Sequence, residues 1–241
     1  MKIEVEAQGW GEAIPSNIET LLANVASHLN RLLVVPVVEH IKVIPATGPS
    51  AVPRTLYRHG ADGPITIQLT AHDTYWAKFS YQFAHEFCHV LSDYERLCDN
   101  PNQWFHEALC ELASGFTLRC MAERWPTQPP YPNWADYAPA LSDYADNLLT
   151  DDDHQVPDGQ TLATWFPMYE AELRHDPYIR DKNAIVAYQL LPLFEANPSG
   201  WNAVRSMPSS TGILTEYLAD WHECVQPADK PFVKRVIGAF Q

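Results

Sequence analysis

The spacing of apolar and polar residues predicts helices along most of the chain and short strands only near its beginning. Apolar side chains recur at helical spacing over residues 16–33. This segment opens with Ser16 and carries Glu19 three positions later, which is the pattern of a capping box. Residues 37–44 read as a strand that ends at a proline, and residues 65–70 alternate as a strand should.

Two strong helical patterns and then a proline-rich stretch follow these strands. The patterns cover residues 76–93 and 103–124. Residues 125–139 contain five prolines, which are incompatible with a regular helix or strand. We therefore predict a subdomain over 1–124, followed by a Pro-rich connector and an all-helical subdomain over 125–241. Helical segments of the second part are predicted at 139–149, 161–174, 178–196, 199–206, 210–224 and 229–240.

The charge balance excludes several classes of function. The 241 residues carry 16 basic and 30 acidic side chains, which gives a formal net charge of −14. General binding to nucleic acid or to anionic membranes needs a positive field, so neither is expected. The longest apolar stretch, residues 32–38, is interrupted by Pro36 and is too short to cross a bilayer.

The cysteines and the first residues of the chain indicate the compartment. The five cysteines are odd in number and contain no C-x-x-C pair. Residues 1–10 include two acids and lack the apolar core of a secretory signal. We therefore expect a cytoplasmic protein with reduced thiols.

A metal-binding pattern lies inside the predicted helix 76–93, where residues 85–89 read His-Glu-Phe-Cys-His. One helical turn separates His85 from His89, so both imidazoles project from the same face. Two neutral imidazole nitrogens at this spacing can bind one zinc ion at about 2.0–2.1 Å. Glu86 lies one step around the helix and can take a proton from a water on that metal. The H-E-x-x-H pattern also occurs by chance, but its place on a helix, after a strand and before an acidic helix, favours zinc binding.

A catalytic zinc ion needs a third protein ligand and an open fourth position. The motif is not continued by Gly and His at the metzincin spacing, where Ser92 and Glu95 stand, so that class is disfavoured. The helix over 104–114 supplies two carboxylates one turn apart. The nearby residues able to act as the third ligand are Asp93, Glu95, Cys98, His106, Glu107 and Glu111.

Residues 65–116 resemble the gluzincin metallopeptidases, which include the zinc aminopeptidases. Trp104, Glu107 and Glu111 match the Trp, the ligand Glu and the later Glu of the family's helix pattern W-x-N-E-G-x-A-E. Seventeen residues separate His89 from Glu107, one fewer than in the aminopeptidases. The Asn and Gly of the aminopeptidase pattern are replaced here by His and Ala.

The resemblance implies both a fold and a set of site residues. The fold is α+β and zincin-like, with a small mixed sheet, an active-site helix and a helical C-terminal subdomain across a cleft. Zinc would be held by His85, His89 and Glu107, with Glu86 as general base. Glu111 would orient a ligand histidine, and exchanged roles of Glu107 and Glu111 stay open.

Members of the family also use a downstream Tyr or His to stabilise the oxyanion. Residues 178–194 resemble the family's Tyr-x-Lys-Gly helix entry, with Arg180 at the Tyr position and Tyr178 two residues earlier. Tyr178 is therefore taken as the catalytic candidate, and Arg180 is an alternative. Further candidates are Tyr188, Tyr144 and His154.

Together, the motif and the resemblance predict a zinc-dependent peptide hydrolase whose partner is a peptide or protein substrate. The alternatives are a zincin-like binding or regulatory protein without catalysis, and a zinc hydrolase of non-peptide amides. Strand 65–70 is expected at the edge of the sheet, where it can offer backbone groups to an extended peptide. Cys88 and Cys110, on the two motif helices, read as small core residues rather than ligands.

Overall fold

The computed structural model describes residues 1–56, 63–93 and 100–241. The strands of these residues all lie in the first part of the chain and form a four-stranded sheet with the order β1-β2-β4-β3. β1, β2 and β4 are parallel, and β3 is antiparallel to β4. The predicted α+β class with a small mixed sheet is therefore confirmed. The strand bounds are β1 (Lys2–Val5), β2 (His40–Pro45), β3 (Arg54–Leu56) and β4 (Ile65–Leu69).

Helices make up most of the remaining described chain. The helix predicted over 103–124 has those bounds, whereas the segment 161–174 is divided by a 3-10 turn at Phe166–Met168. Pro167 lies in that turn and lacks the backbone N–H that a continuous helix needs. In the described residues, no helix combines the length and the apolar character needed to cross a bilayer. The bounds are α1 (Pro15–Asn30), α2 (Trp76–Leu91), α3 (Gln103–Arg124), α4 (Ala138–Thr150), α5 (Leu162–Trp165), α6 (Glu170–His175), α7 (Arg180–Ala196), α8 (Trp201–Val204), α9 (Leu214–Cys224) and α10 (Lys230–Ala239).

Two of the strands were not predicted, and one of them corrects the expected edge of the sheet. β1 and β3 have only four and three residues, so their own patterns are weak and pairing with neighbours supplies the strand conformation. β4 pairs with β2 on one side and with β3 on the other. The expectation that residues 65–70 form the edge is therefore wrong, and β3 lies at that edge instead.

The predicted capping box of α1 is also wrong. The helix begins at Pro15, with Ile14 as N-cap and no side-chain capping bond. Proline suits the first turn because its missing N–H would have no partner within the helix. Glu19 instead accepts a hydrogen bond from the backbone N–H of Val5 at 3.1 Å, which ties α1 to β1.

α2 and α3 lie side by side in the hydrophobic core, and α3 also contacts α1, α4 and α7. A helix that is apolar on most faces is stable only when neighbours cover it. Buried residues on both sides of the predicted boundary at 124/125 belong to one hydrophobic cluster, and the two-subdomain division stays a prediction. The fully buried side chains of the two helices include Phe79, Phe83, Phe87, Trp104, Phe105 and Leu112.

α3 and α7 lie close together at Gly115. A Cβ added to Gly115 would lie 3.2 Å from Cε1 of Tyr188, closer than an ordinary van der Waals contact. The absence of a side chain at Gly115 therefore allows the ring of Tyr188 to lie against α3.

We expect Gly115→Val to lower the free energy of unfolding by about 1–3 kcal/mol, because the new side chain overpacks the α3–α7 contact. The control is Gly238→Val in α10, where an added Cβ meets no described atom within 4 Å. The control should be neutral or slightly stabilising, since valine has the higher helix propensity. Urea unfolding of both variants measures the difference, and equal midpoints would contradict the predicted crowding.

Candidate metal centre

α2 and α3 bring together the three residues that were predicted to bind zinc. His85 and His89 lie one turn apart on α2, and Glu107 lies one turn into α3. Glu107 Oε2 is 3.3 Å from His85 Nε2 and 3.8 Å from His89 Nε2. The two imidazole rings are 5.1 Å apart between centroids. Both Nε2 atoms therefore face the same carboxylate oxygen.

Cys110 joins this cluster, although the sequence indicated only a core residue. Its Sγ lies 3.3 Å from Nδ1 of His89. Ligand atoms of His85, His89 and Cys110 lie within 4.8 Å of one another, so this group could hold a metal ion. The signal in the sequence was the spacing of Cys110, three residues after Glu107 and hence on the same face of a helix.

Glu111 lies behind His85 and is held by two tyrosine hydroxyls. Tyr81 donates to its Oε2 at 2.6 Å, and Tyr188 donates to its Oε1. Oε2 of Glu111 is 3.9 Å from Nδ1 of His85, on the side of the ring away from Glu107. Burial would raise the pKa of Glu111, but His85 and then the hydroxyls of Tyr188 and Tyr81 lower it, which favours the charged carboxylate.

Glu86, the predicted general base, is buried and contacts the edge strand β3. Oγ1 of Thr55 lies 2.8 Å from Glu86 Oε2 and 3.1 Å from its backbone oxygen. A hydroxyl has one proton, so Thr55 donates to one of these oxygens at a time. Sequence reasoning missed Thr55 because the pattern around it did not predict a strand.

Burial and neighbouring charge set the protonation of the histidines and of Glu107. Burial lowers the pKa of His89 to about 4, which keeps its imidazole neutral at pH 7. Burial would lower the pKa of His85, but the neighbouring carboxylates of Glu107 and Glu111 hold it well above its usual value. Burial would raise the pKa of Glu107, but its hydrogen bond with His85 leaves it lowered. The carboxylates of Glu107 and Glu111 therefore stabilise a positive charge on the group between them, which here is His85.

The hydroxyl of Tyr178, the predicted oxyanion donor, is hydrogen-bonded to Gln103 at the start of α3. The side chain of Tyr178 is 62% exposed, and its hydroxyl accepts a hydrogen bond from Gln103 Nε2 at 2.7 Å. Gln103 lies one turn before Glu107 on α3. Arg180 is exposed at the start of α7, and its charge opposes the rise in the pKa of Tyr81 that burial and Glu111 cause.

The three other candidate donors lie on the Glu111 side of the cluster. Tyr188 donates its hydroxyl proton to Glu111. The ring of Tyr144 lies 5.8 Å from that of Tyr81, between centroids. His154 packs against Tyr188 at 5.7 Å, and its Nδ1 lies 2.8 Å from the carbonyl oxygen of Leu148.

The other candidates for the third ligand lie elsewhere or outside the described residues. Glu95 and Cys98 belong to the undescribed residues 94–99. Asp93 follows the end of α2 with a left-handed φ of 54°. Nε2 of His106 lies 2.7 Å from the hydroxyl of Tyr217 on α9.

Comparison with models of known protein families, with curated protein sequences and with solved structures gives no match. Function is therefore inferred from the geometry of the cluster. The residues define a candidate metal centre with two histidines, a thiol and a carboxylate within reach of one another.

We expect Tyr188→Phe to lower the free energy of unfolding by about 1.5–3 kcal/mol, because it removes a hydrogen bond to a buried charged carboxylate. The control is Tyr131→Phe, whose hydroxyl contacts the neutral hydroxyl of Thr20 at 3.0 Å. That change should cost only about 0.5–1.5 kcal/mol. Denaturant unfolding tests the order, and a larger loss at Tyr131 would contradict the charged state of Glu111.

Proposed function

We propose that this chain is a zinc-dependent peptide hydrolase of the gluzincin type. The observation that carries the proposal is the convergence of His85 Nε2 and His89 Nε2 on Oε2 of Glu107. Two imidazole nitrogens and one carboxylate are a ligand set typical of catalytic zinc. Magnesium and calcium prefer oxygen ligands alone, so the donor set favours zinc over both.

The burial of the proposed ligands supports a catalytic rather than a closed structural site. The side chain of His85 is 22% exposed, whereas those of Glu107 and His89 are 12% and 8% exposed. Three ligands with one partly exposed side leave a coordination position for water or substrate. The carboxylates also supply the negative charge that a divalent cation needs in a buried position.

The division of roles between Glu107 and Glu111 follows from which nitrogen each one faces. Glu107 faces Nε2 of both histidines, while Glu111 faces Nδ1 of His85 and accepts two tyrosine hydroxyls. We therefore assign Glu107 as ligand and Glu111 as the acceptor that orients His85.

Glu86 supplies the proton transfers of the proposed reaction. Zinc, when bound, would act as a Lewis acid on the scissile carbonyl and lower the pKa of water beside it. Glu86 takes the proton from the attacking water and delivers it to the leaving amine. Burial raises the pKa of Glu86, which makes its carboxylate a stronger base, and Thr55 holds one of its oxygens.

The sheet edge supports a zincin-like arrangement of substrate and metal. β3 is the edge strand among the described residues, and Thr55 joins it to the proposed base. An extended peptide added along β3 would pair beside Thr55, the residue that contacts Glu86. Tyr178 remains the proposed oxyanion donor because it is exposed and contacts Gln103, one turn from Glu107.

We expect wild-type protein to bind one zinc ion per chain and Glu107→Gln to lose it on dialysis, because a neutral amide is a much weaker zinc ligand than a carboxylate. Glu111→Gln is the matched control. It should keep zinc at saturating concentration, with an affinity lowered about 10–100-fold by the lost support of His85. Elemental analysis measures the metal content, and retention of zinc by Glu107→Gln would refute the ligand assignment.

We expect Glu86→Gln to keep its zinc and lose peptide hydrolysis, since the amide cannot accept the proton. A peptide-library digest with and without a chelator measures activity, and elemental analysis shows the metal. Peptide hydrolysis retained by Glu86→Gln would contradict this mechanism. Zinc binding without hydrolysis in the wild type would instead favour a binding or regulatory protein.

A further inference from the structure

Cys110 lies against the imidazole nitrogen of His89 that does not face Glu107. Its Sγ is 3.3 Å from Nδ1, whereas Nε2 of His89 lies 3.8 Å from Oε2 of Glu107. The two nitrogens point outward in different directions from the ring. One ion bound to His89 through Nε2 therefore lies away from the sulfur of Cys110.

The same division is present at His85. Its Nε2 lies 3.3 Å from Glu107, and its Nδ1 lies 3.9 Å from Glu111. Each histidine thus turns Nε2 toward Glu107 and Nδ1 toward another residue of α3. A histidine that binds a metal nearly always donates its other N–H to an acceptor, which fixes the tautomer and the ring orientation. The group beside Nδ1 is a carboxylate for His85 and the sulfur of Cys110 for His89.

We propose, resting on the function proposed above, that Cys110 is a positioning residue and not a zinc ligand. Its sulfur accepts a hydrogen bond from Nδ1–H of His89, which places the lone pair of the ring on Nε2, the atom that binds the metal. Sulfur is a weak acceptor, so the contact depends on a fixed geometry. Cys110 is buried and held by helix α3, so its sulfur has little freedom to leave His89.

The competing arrangement uses His85, His89 and Cys110 as the ligands of one ion. In it the nitrogen of His89 closest to the sulfur is Nδ1, at 3.3 Å, and Glu107 is not one of the three ligands. The two arrangements differ in one directly observable property. A thiolate bound to Co²⁺ gives an intense charge-transfer band in the near ultraviolet, whereas nitrogen and oxygen ligands do not.

The test uses the full chain loaded with Co²⁺ and then, separately, with Zn²⁺ in competition with a chelating dye. The variants are Cys110→Ala, which removes the acceptor, and Cys110→Ser, which keeps an acceptor atom. Cys120→Ala is the control, because that thiol lies ten residues further along α3, beside Arg31 and Arg124. Circular dichroism and thermal unfolding check that each variant is folded.

We expect no thiolate charge-transfer band in the wild type. Cys110→Ala should bind Zn²⁺ about 10–100-fold more weakly, Cys110→Ser should recover most of the affinity, and Cys120→Ala should match the wild type. Rescue by serine separates positioning from a mere packing role. If Cys110→Ala does not fold, the wild-type spectrum and the affinity of Cys110→Ser decide the question.

Two results would overturn the role of Cys110. One is a charge-transfer band in the wild type that Cys110→Ser abolishes, which would make the thiolate a ligand. The other is an unchanged zinc affinity in folded Cys110→Ala. Failure of the underlying function would differ from both, since zinc would then be absent from the wild type or retained by Glu107→Gln.

Discussion

The packing of α2 against α3 determines where the polar groups of the candidate metal centre lie. Both helices bury large apolar side chains against each other and against the sheet and the later helices. That packing fixes their relative rotation, so the few polar residues between them meet in defined pairs. Because the surroundings are apolar, each buried carboxylate needs a partner of its own. Thr55 contacts Glu86, His85 contacts Glu107, and two tyrosines contact Glu111.

The C-terminal part of the chain contacts the candidate metal centre on the side where Glu111 lies. α7 approaches α3 at Gly115, where a larger residue would meet the ring of Tyr188. The hydroxyl of Tyr188 then reaches Glu111, which in turn faces His85. The helices that follow the Pro-rich stretch therefore contribute to the orientation of a proposed ligand, although that ligand comes from the first part of the chain.

Local periodicity was enough to predict that His85 and His89 share one face of a helix, whereas the choice of Glu107 came from the resemblance to the gluzincins. The bounds of α3 followed from the same periodicity, and the small mixed sheet was an expectation of the resemblance. The contacts that could not be predicted are those made by distant parts of the chain. Thr55 belongs to a three-residue strand that is stabilised by its pairing with β4. At α1 the expected capping box is absent, because the helix begins at Pro15 and Glu19 bonds to β1 instead.

The hydrogen bond between Thr55 and Glu86 connects the sheet edge directly to the proposed base. Thr55 is the middle residue of β3, so its hydroxyl moves with the backbone that an added strand would pair with. A ligand that extends the sheet along β3 would pair with the backbone on either side of the residue that contacts Glu86. The sheet edge and the carboxylate of Glu86 are therefore joined through the hydroxyl of one threonine.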